Sequence, residues 1–158
     1  MLPRRTVLSG LVLGVVGLSG CNSLSGLPGY IQTKHVQGRE RNEPFEDVLA
    51  VSRGRDDSER QYGVADRWEE YVDDPEAPTI SESFHEALHR EYFDVRYSVR
   101  FCSEQLDDGS YGCIKETVER EDFNQAQVTD RVRASHLREQ DRIEIYSVIG
   151  TRPWADST

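Results

Sequence analysis

The sequence predicts an α+β domain: a curved antiparallel sheet or small β-barrel of about six strands, with one or two helices inserted between the second and third strands. Two observations carry this expectation. Apolar and polar residues alternate over several short segments bounded by Asp, Asn, Gly and Pro, the pattern of half-buried strands. Between those segments Ile80, Phe84, Ala87, Leu88 and Tyr92 recur at helical spacing and make one apolar stripe.

Residues 30–39 and 45–54 read as the first two strands, the second carrying Phe45, Val48, Leu49 and Val51, joined through Asn42-Glu43-Pro44. Residues 53–63 are polar and read as a loop. Residues 64–72 suit a short helix with Trp68 and Tyr71 turned inward, ended by Asp73-Asp74-Pro75. The main helix follows Pro78, where Thr79 with Glu82, or Ser83 with Glu86, has capping-box spacing. Next, Val95, Tyr97, Val99 and Phe101 alternate with Arg96, Ser98, Arg100 and Cys102. Beyond a turn at Asp107-Asp108-Gly109-Ser110, Ile114 and Val118 alternate with Cys113, Lys115 and Thr117. Residues 122–130 read as a polar loop, and residues 131–136 and 142–149 as a last hairpin.

Cys102 and Cys113 both fall on the polar face of the hairpin around residues 107–110. In one register they stand nearly opposite and within disulfide reach; a slip of one residue leaves two surface thiols. Of the three cysteines only Cys21 is then left over.

The first twenty residues have the three parts of an export signal. Arg4 and Arg5 precede an apolar run with Val7, Leu8, Leu11, Val12, Leu13, Val15, Val16 and Leu18, and no acidic residue occurs before Glu40. Residues 6–20 are shorter than the roughly 20 apolar residues a membrane-spanning helix needs. The paired arginines resemble a twin-arginine export signal, with Pro3 where that motif carries Ser or Thr. Leu18-Ser19-Gly20-Cys21 resembles the lipobox of bacterial and archaeal lipoproteins, which implies a lipid on the Cys21 sulfur. Two hydrocarbon chains, at about 0.8 kcal/mol per buried CH₂, anchor stably where one is marginal. The expected organisation is a signal over residues 1–20, a lipidated tether over 21–29, one β-rich domain over 30–150 with its helical insertion near 64–93, and a tail over 151–158. The Ser- and Gly-rich tether reaches roughly 15 Å, which keeps the domain near the membrane.

Charge narrows the partners. Once Arg4 and Arg5 leave with the signal, 17 of the 19 basic residues remain against 29 acidic ones, a net charge of −12. That excess argues against a nucleic-acid partner. Only Lys34 and Lys115 are lysines, and an acidic, arginine-rich, lysine-poor chain resembles exported proteins of salt-loving archaea. The order YSVRF, DDGSYG, VEREDFNQAQVTDRVRA, IEIYSVI is similar to small exported β-domains of unknown function in bacteria and archaea, with Thr129 in place of their usual Gly before Asp130 and an added helix. The resemblance implies a strongly curved sheet or small barrel and carries over no catalytic residue.

One motif has chemistry attached. His85-Glu86-Ala87-Leu88-His89 matches H-E-x-x-H, in which two imidazoles one helical turn apart bind zinc and the glutamate activates a bound water. The same spacing also suits two histidines at the border of a solvated helix face. A third ligand would have to come from Glu104, Glu116, Glu119 or His136, since no extended zinc motif follows His89. His35 and His136 stand alone in predicted strands and read as structural. No nucleophile elbow, P-loop or dinucleotide loop occurs. The resulting expectation is a lipoprotein on the outer face of the cell membrane. Its domain binds an envelope protein or a solute without a cofactor, and a zinc hydrolase built on His85, Glu86 and His89 is the alternative.

Overall fold

The computed structural model describes residues 26–53, 61–103 and 112–151. Arg4, Arg5, Cys21, Glu104 and the turn at residues 107–110 lie outside them, as does the tail beyond Thr151. In chain order the elements are β1 (Leu27–Arg39), β2 (Glu46–Ser52), β3 (Gln61–Val64), a 3-10 helix (Asp66–Tyr71), α1 (Glu82–Glu91), β4 (Asp94–Ser103), β5 (Cys113–Thr117), α2 (Arg120–Gln125), β6 (Asp130–Leu137), a short 3-10 turn (Arg138–Gln140) and β7 (Arg142–Thr151).

The seven strands form one sheet in the order β3-β2-β1-β4-β5-β7-β6, and β1 also pairs with β6. Five of them, β1, β4, β5, β7 and β6, therefore close into a barrel, while β2 and β3 extend outward from it. Closure depends on the length of β1. Residues 27–30 pair with residues 131–134 of β6, residues 33–38 pair with β2, and β4 runs antiparallel along the whole opposite flank. The barrel's one parallel contact joins β5 to β7 at Thr117 and Arg142.

A bulge around Gln32 divides β1. Before it Gly29 and Ile31 point inward; after it Lys34, Val36 and Gly38 do. One extra residue shifts the inward phase by one position, which a strictly alternating strand cannot do. Ile31, Val99, Phe101, Val132, Ala134, Ile143 and Ile145 fill the barrel, and Phe123 of α2 is fully buried. Outside it Trp68 packs on Phe84 and Tyr92 with ring centroids 5.8 and 6.0 Å away, and Tyr71 stacks on Phe84 at 5.2 Å. Gly38 is required here, because a Cβ would lie 2.3 Å from the Tyr92 ring.

The sequence pattern is borne out over β1, β2, β4, β5, β6, β7 and the stripe of α1, whose five apolar residues are all buried. Three expectations need correction. Residues 61–64, read as the end of a loop and the start of a helix, form the edge strand β3, so among the described residues there are seven strands and the helical insertion falls between the third and fourth. An edge strand held by backbone pairing needs no apolar alternation, and Gln61, Tyr62 and Gly63 are exposed. Residues 120–125, mostly read as loop, form α2, too short to show a periodic stripe and buried through Phe123 alone. α1 is capped by Ser81, whose hydroxyl accepts from Phe84 N–H at 3.2 Å, and not by Thr79 or Ser83. The Asn124 side chain bonds both the N–H and the C=O of Ile80, at 2.6 and 2.9 Å, and holds the segment before α1 in place.

Lys34 is the largest polar group in the interior, with 0 % of its surface exposed. Its Nζ donates to the carbonyl oxygens of Pro78, Phe123 and Ala126 at 2.9, 2.6 and 2.9 Å and to Gln127 Oε1 at 2.8 Å, and lies 4.0 Å from the Phe123 ring centroid. Burial pushes its pKa down to about 7, with Asp130 opposing the shift. An ammonium offers three N–H donors to these four acceptors, with one bond shared, whereas a neutral amine has only two and turns a lone pair toward oxygen, so the cage suits the ammonium better.

Beside this cage Thr129 adopts φ 85°, a left-handed conformation that a β-branched residue tolerates poorly. It closes a turn in which Asp130 N–H donates to Gln127 O and Thr129 N–H to Ile31 O, both at 2.9 Å.

Lys34→Met keeps the side-chain length and leaves the main-chain acceptors without a donor, so it should destabilise the domain by about 3–5 kcal/mol in denaturant unfolding. A loss under about 1 kcal/mol would mean the cage is not stabilising. Thr129→Gly should act the other way and raise stability by about 1 kcal/mol through relief of strain. An unchanged midpoint would show that the turn is not strained.

Candidate functional site

The stripe of α1 turns Phe84 and Leu88 into the core and leaves His85 and His89, each one residue later, at its border. The rings of His85 and His89 lie 4.4 Å apart by centroid with planes at 58°. His85 Nδ1 is 2.7 Å from the Tyr97 hydroxyl of β4, and Tyr97 in turn packs 5.8 Å from the Phe123 ring. Glu86 is exposed. At the start of α1 Glu82 forms an ion pair with Arg120 of α2 at 2.7 Å.

Burial lowers the pKa of His89, the neighbouring His85 lowers it further, and Asp94 opposes both. Burial pushes the Tyr97 hydroxyl up to about 12, with Arg120 pulling it down and Glu82 pushing it up.

Of the residues considered as a third zinc ligand, Glu116, Glu119 and His136 do not join the pair. Glu116 lies 3.6 Å from His136 Nε2, Glu119 is paired with Arg142 at 2.6 Å, and Glu104 is outside the described residues. Among the described residues no group of three His, Cys, Asp or Glu side chains could hold a metal ion. A catalytic zinc needs three protein ligands and a water, and the histidine pair supplies two at most. Among the described residues the histidine pair therefore lacks a third ligand.

Cys102 and Cys113 are registered opposite each other on β4 and β5 and are disulfide-bonded, which selects the paired register over the two-thiol one. An open pocket of about 450 Å³ lies at the outer sheet edge, lined by Tyr62, Gly63, Val64, Glu69, Val72 and Pro75. Sequence reasoning did not single out Tyr97, Lys34 or His35 as special. Tyr97 reads as one more inward residue of β4, and only the fold brings its hydroxyl to His85. His35 sits on the outer face of β1 with Nδ1 buried and unpartnered; burial lowers its pKa, Lys115 lowers it further, and Asp47 raises it.

Among the described residues no helix is long and apolar enough to cross a membrane. Comparison with protein families, curated proteins and solved structures finds no match.

The Tyr97 shift gives a pH signature. The unfolded chain releases a tyrosine proton near pH 10 whereas the fold holds it to about 12, so the Tyr97 contribution is intact below about pH 10 and is lost as pH climbs through 12. Unfolding midpoints across that window should fall for the parent and less steeply for Tyr97→Phe. Parallel slopes would contradict a buried, protonated Tyr97.

Proposed function

We propose that the chain is an exported lipoprotein held on the outer face of the cell membrane by a lipid on Cys21, and that its barrel is a non-enzymatic binding or envelope-assembly domain. The address rests on Arg4 and Arg5, the apolar run after them and Leu18-Ser19-Gly20-Cys21. Only four residues lie between Cys21 and Gly26, so the barrel stands close to the membrane.

One observation favours binding over hydrolysis. The helix with the H-E-x-x-H pattern has one histidine nitrogen committed to Tyr97, and its acidic residue faces outward. The motif then works as packing: His85 joins α1 to β4, while Phe84 and Leu88 join the same helix to the core.

Cys21→Ser should move the protein from the membrane fraction to the medium when cells are fractionated. Retention of that variant in membranes would overturn the lipid anchor. Metal analysis after equilibration with zinc tests the rest of the reading, since stoichiometric zinc that disappears in His89→Ala would overturn the non-enzymatic assignment.

A further inference from the structure

The outer face of the sheet where β1, β4 and β5 run side by side carries two registered rows. One is Thr33, Arg100 and Lys115; the next is His35, Ser98 and Thr117. Arg100 and Lys115 are exposed, lie directly opposite each other, and have no ion-pair partner among the described residues. Like charges in that relation destabilise a ladder. The arrangement is conspicuous in a chain with 29 acidic residues against 19 basic ones, where Arg39, Arg67, Arg120 and Arg142 all reach a carboxylate.

Beside the two cations three polar atoms are buried without a hydrogen-bond partner: Thr33 Oγ1, His35 Nδ1 and Ser98 Oγ. Ser98 is only 6 % exposed, and by strand alternation its side chain shares the outer face with Arg96 and Arg100. Thr117 is already engaged, donating to Asp141 O at 2.9 Å. The two rows thus offer a guanidinium, an ammonium, two hydroxyls and an imidazole nitrogen, and no carboxylate belongs to either row. Asp47 of β2 is felt at His35, whose pKa it raises.

We propose that this face binds a phosphate-type oxyanion, with Arg100 and Lys115 flanking it and Thr33, Ser98 and His35 donating to its oxygens. An arginine fork gives paired bonds to such an oxyanion, and an ammonium adds a point charge. The bound anion removes the repulsion between the two cations and satisfies donors that are otherwise buried unpaired. The inference rests on the reading of the barrel as a binding domain and names its ligand class, which a free anion or a lipid headgroup could each supply.

The test uses the full chain with Cys21→Ser, compared with the same chain carrying Arg100→Gln and Lys115→Gln, at constant ionic strength. Inorganic phosphate should raise the unfolding midpoint in a saturable way that chloride does not reproduce, and the double variant should weaken this by about tenfold or more. Ser98→Ala should weaken it less. Without phosphate the double variant should be at least as stable as its parent, because it has lost only a repulsion. Co-sedimentation with phosphatidylglycerol vesicles identifies the source: binding to vesicles alone, lost in the double variant, assigns a headgroup, and binding of free phosphate assigns the soluble ion. No saturable effect in either arm, or binding unchanged in the double variant, overturns the site. That failure would leave the anchor untouched, because fractionation of Cys21→Ser reads it separately.

Discussion

The fold depends on one ammonium group. Lys34 reaches from the middle of β1 to the segment before α1 and to the end of α2, joining three parts of the chain that share no ladder. The reason lies in how short α2 is. Six residues make little intrahelical bonding, and the last carbonyls of any helix lack partners within it. α2 has no basic residue in its last turn, and the cation that answers Phe123 O and Ala126 O comes from a strand roughly ninety positions earlier. Placed there it also interacts favourably with the negative end of the helix dipole. An apolar side chain of the same size would fill the volume and leave those carbonyls buried without donors, which is the costlier arrangement.

Lys34 faces inward only because of the bulge at Gln32. Without the extra residue, the phase that buries Gly29 and Ile31 would bury Thr33 and His35 and put Lys34 in solvent. The bulge therefore has two consequences. It places the cation under α2, and it leaves Thr33 and His35 on the outer face opposite Arg100 and Ser98. It also lets one long strand serve both the barrel and the β2 extension, since its two halves pair with different neighbours on the same flank.

Legibility in the sequence follows how local each determinant is. The stripe of α1, the alternation of β4 and the opposition of Cys102 and Cys113 depend on residues near one another in the chain, and all three could be read there. A bulge has no residue signature in Gln32, so a buried lysine within a polar-looking strand could not. β3 is defined by pairing with β2 and not by its own side chains, and α2 is anchored by a single phenylalanine. Thr129 is an instructive case: φ 85° is a conformation that favours glycine, and a threonine at that position gives no local sign of it. The histidine pair divides along the same line. Helical spacing sets the closeness of His85 and His89, whereas any third ligand, and the Tyr97 hydroxyl that meets His85, is a matter of tertiary placement.

Salt separates the contributions that hold this molecule together. At molar ionic strength the Debye length is about 3 Å, so exposed pairs such as Arg67 with Glu46 and Glu91 contribute little. The repulsion among the many carboxylates is screened as well, which favours the compact state of a chain with net charge −10. Neither effect reaches the interior, where Lys34 sits among fixed carbonyls and Trp68, Phe84 and Tyr92 are buried against one another. In dilute buffer the surface works against the core; in concentrated salt the core acts alone. A sheet face built from directed donors belongs with the second group, because the hydrogen bonds that Thr33 and Ser98 would donate to a bound oxyanion depend on geometry that screening of the Arg100 and Lys115 field does not alter.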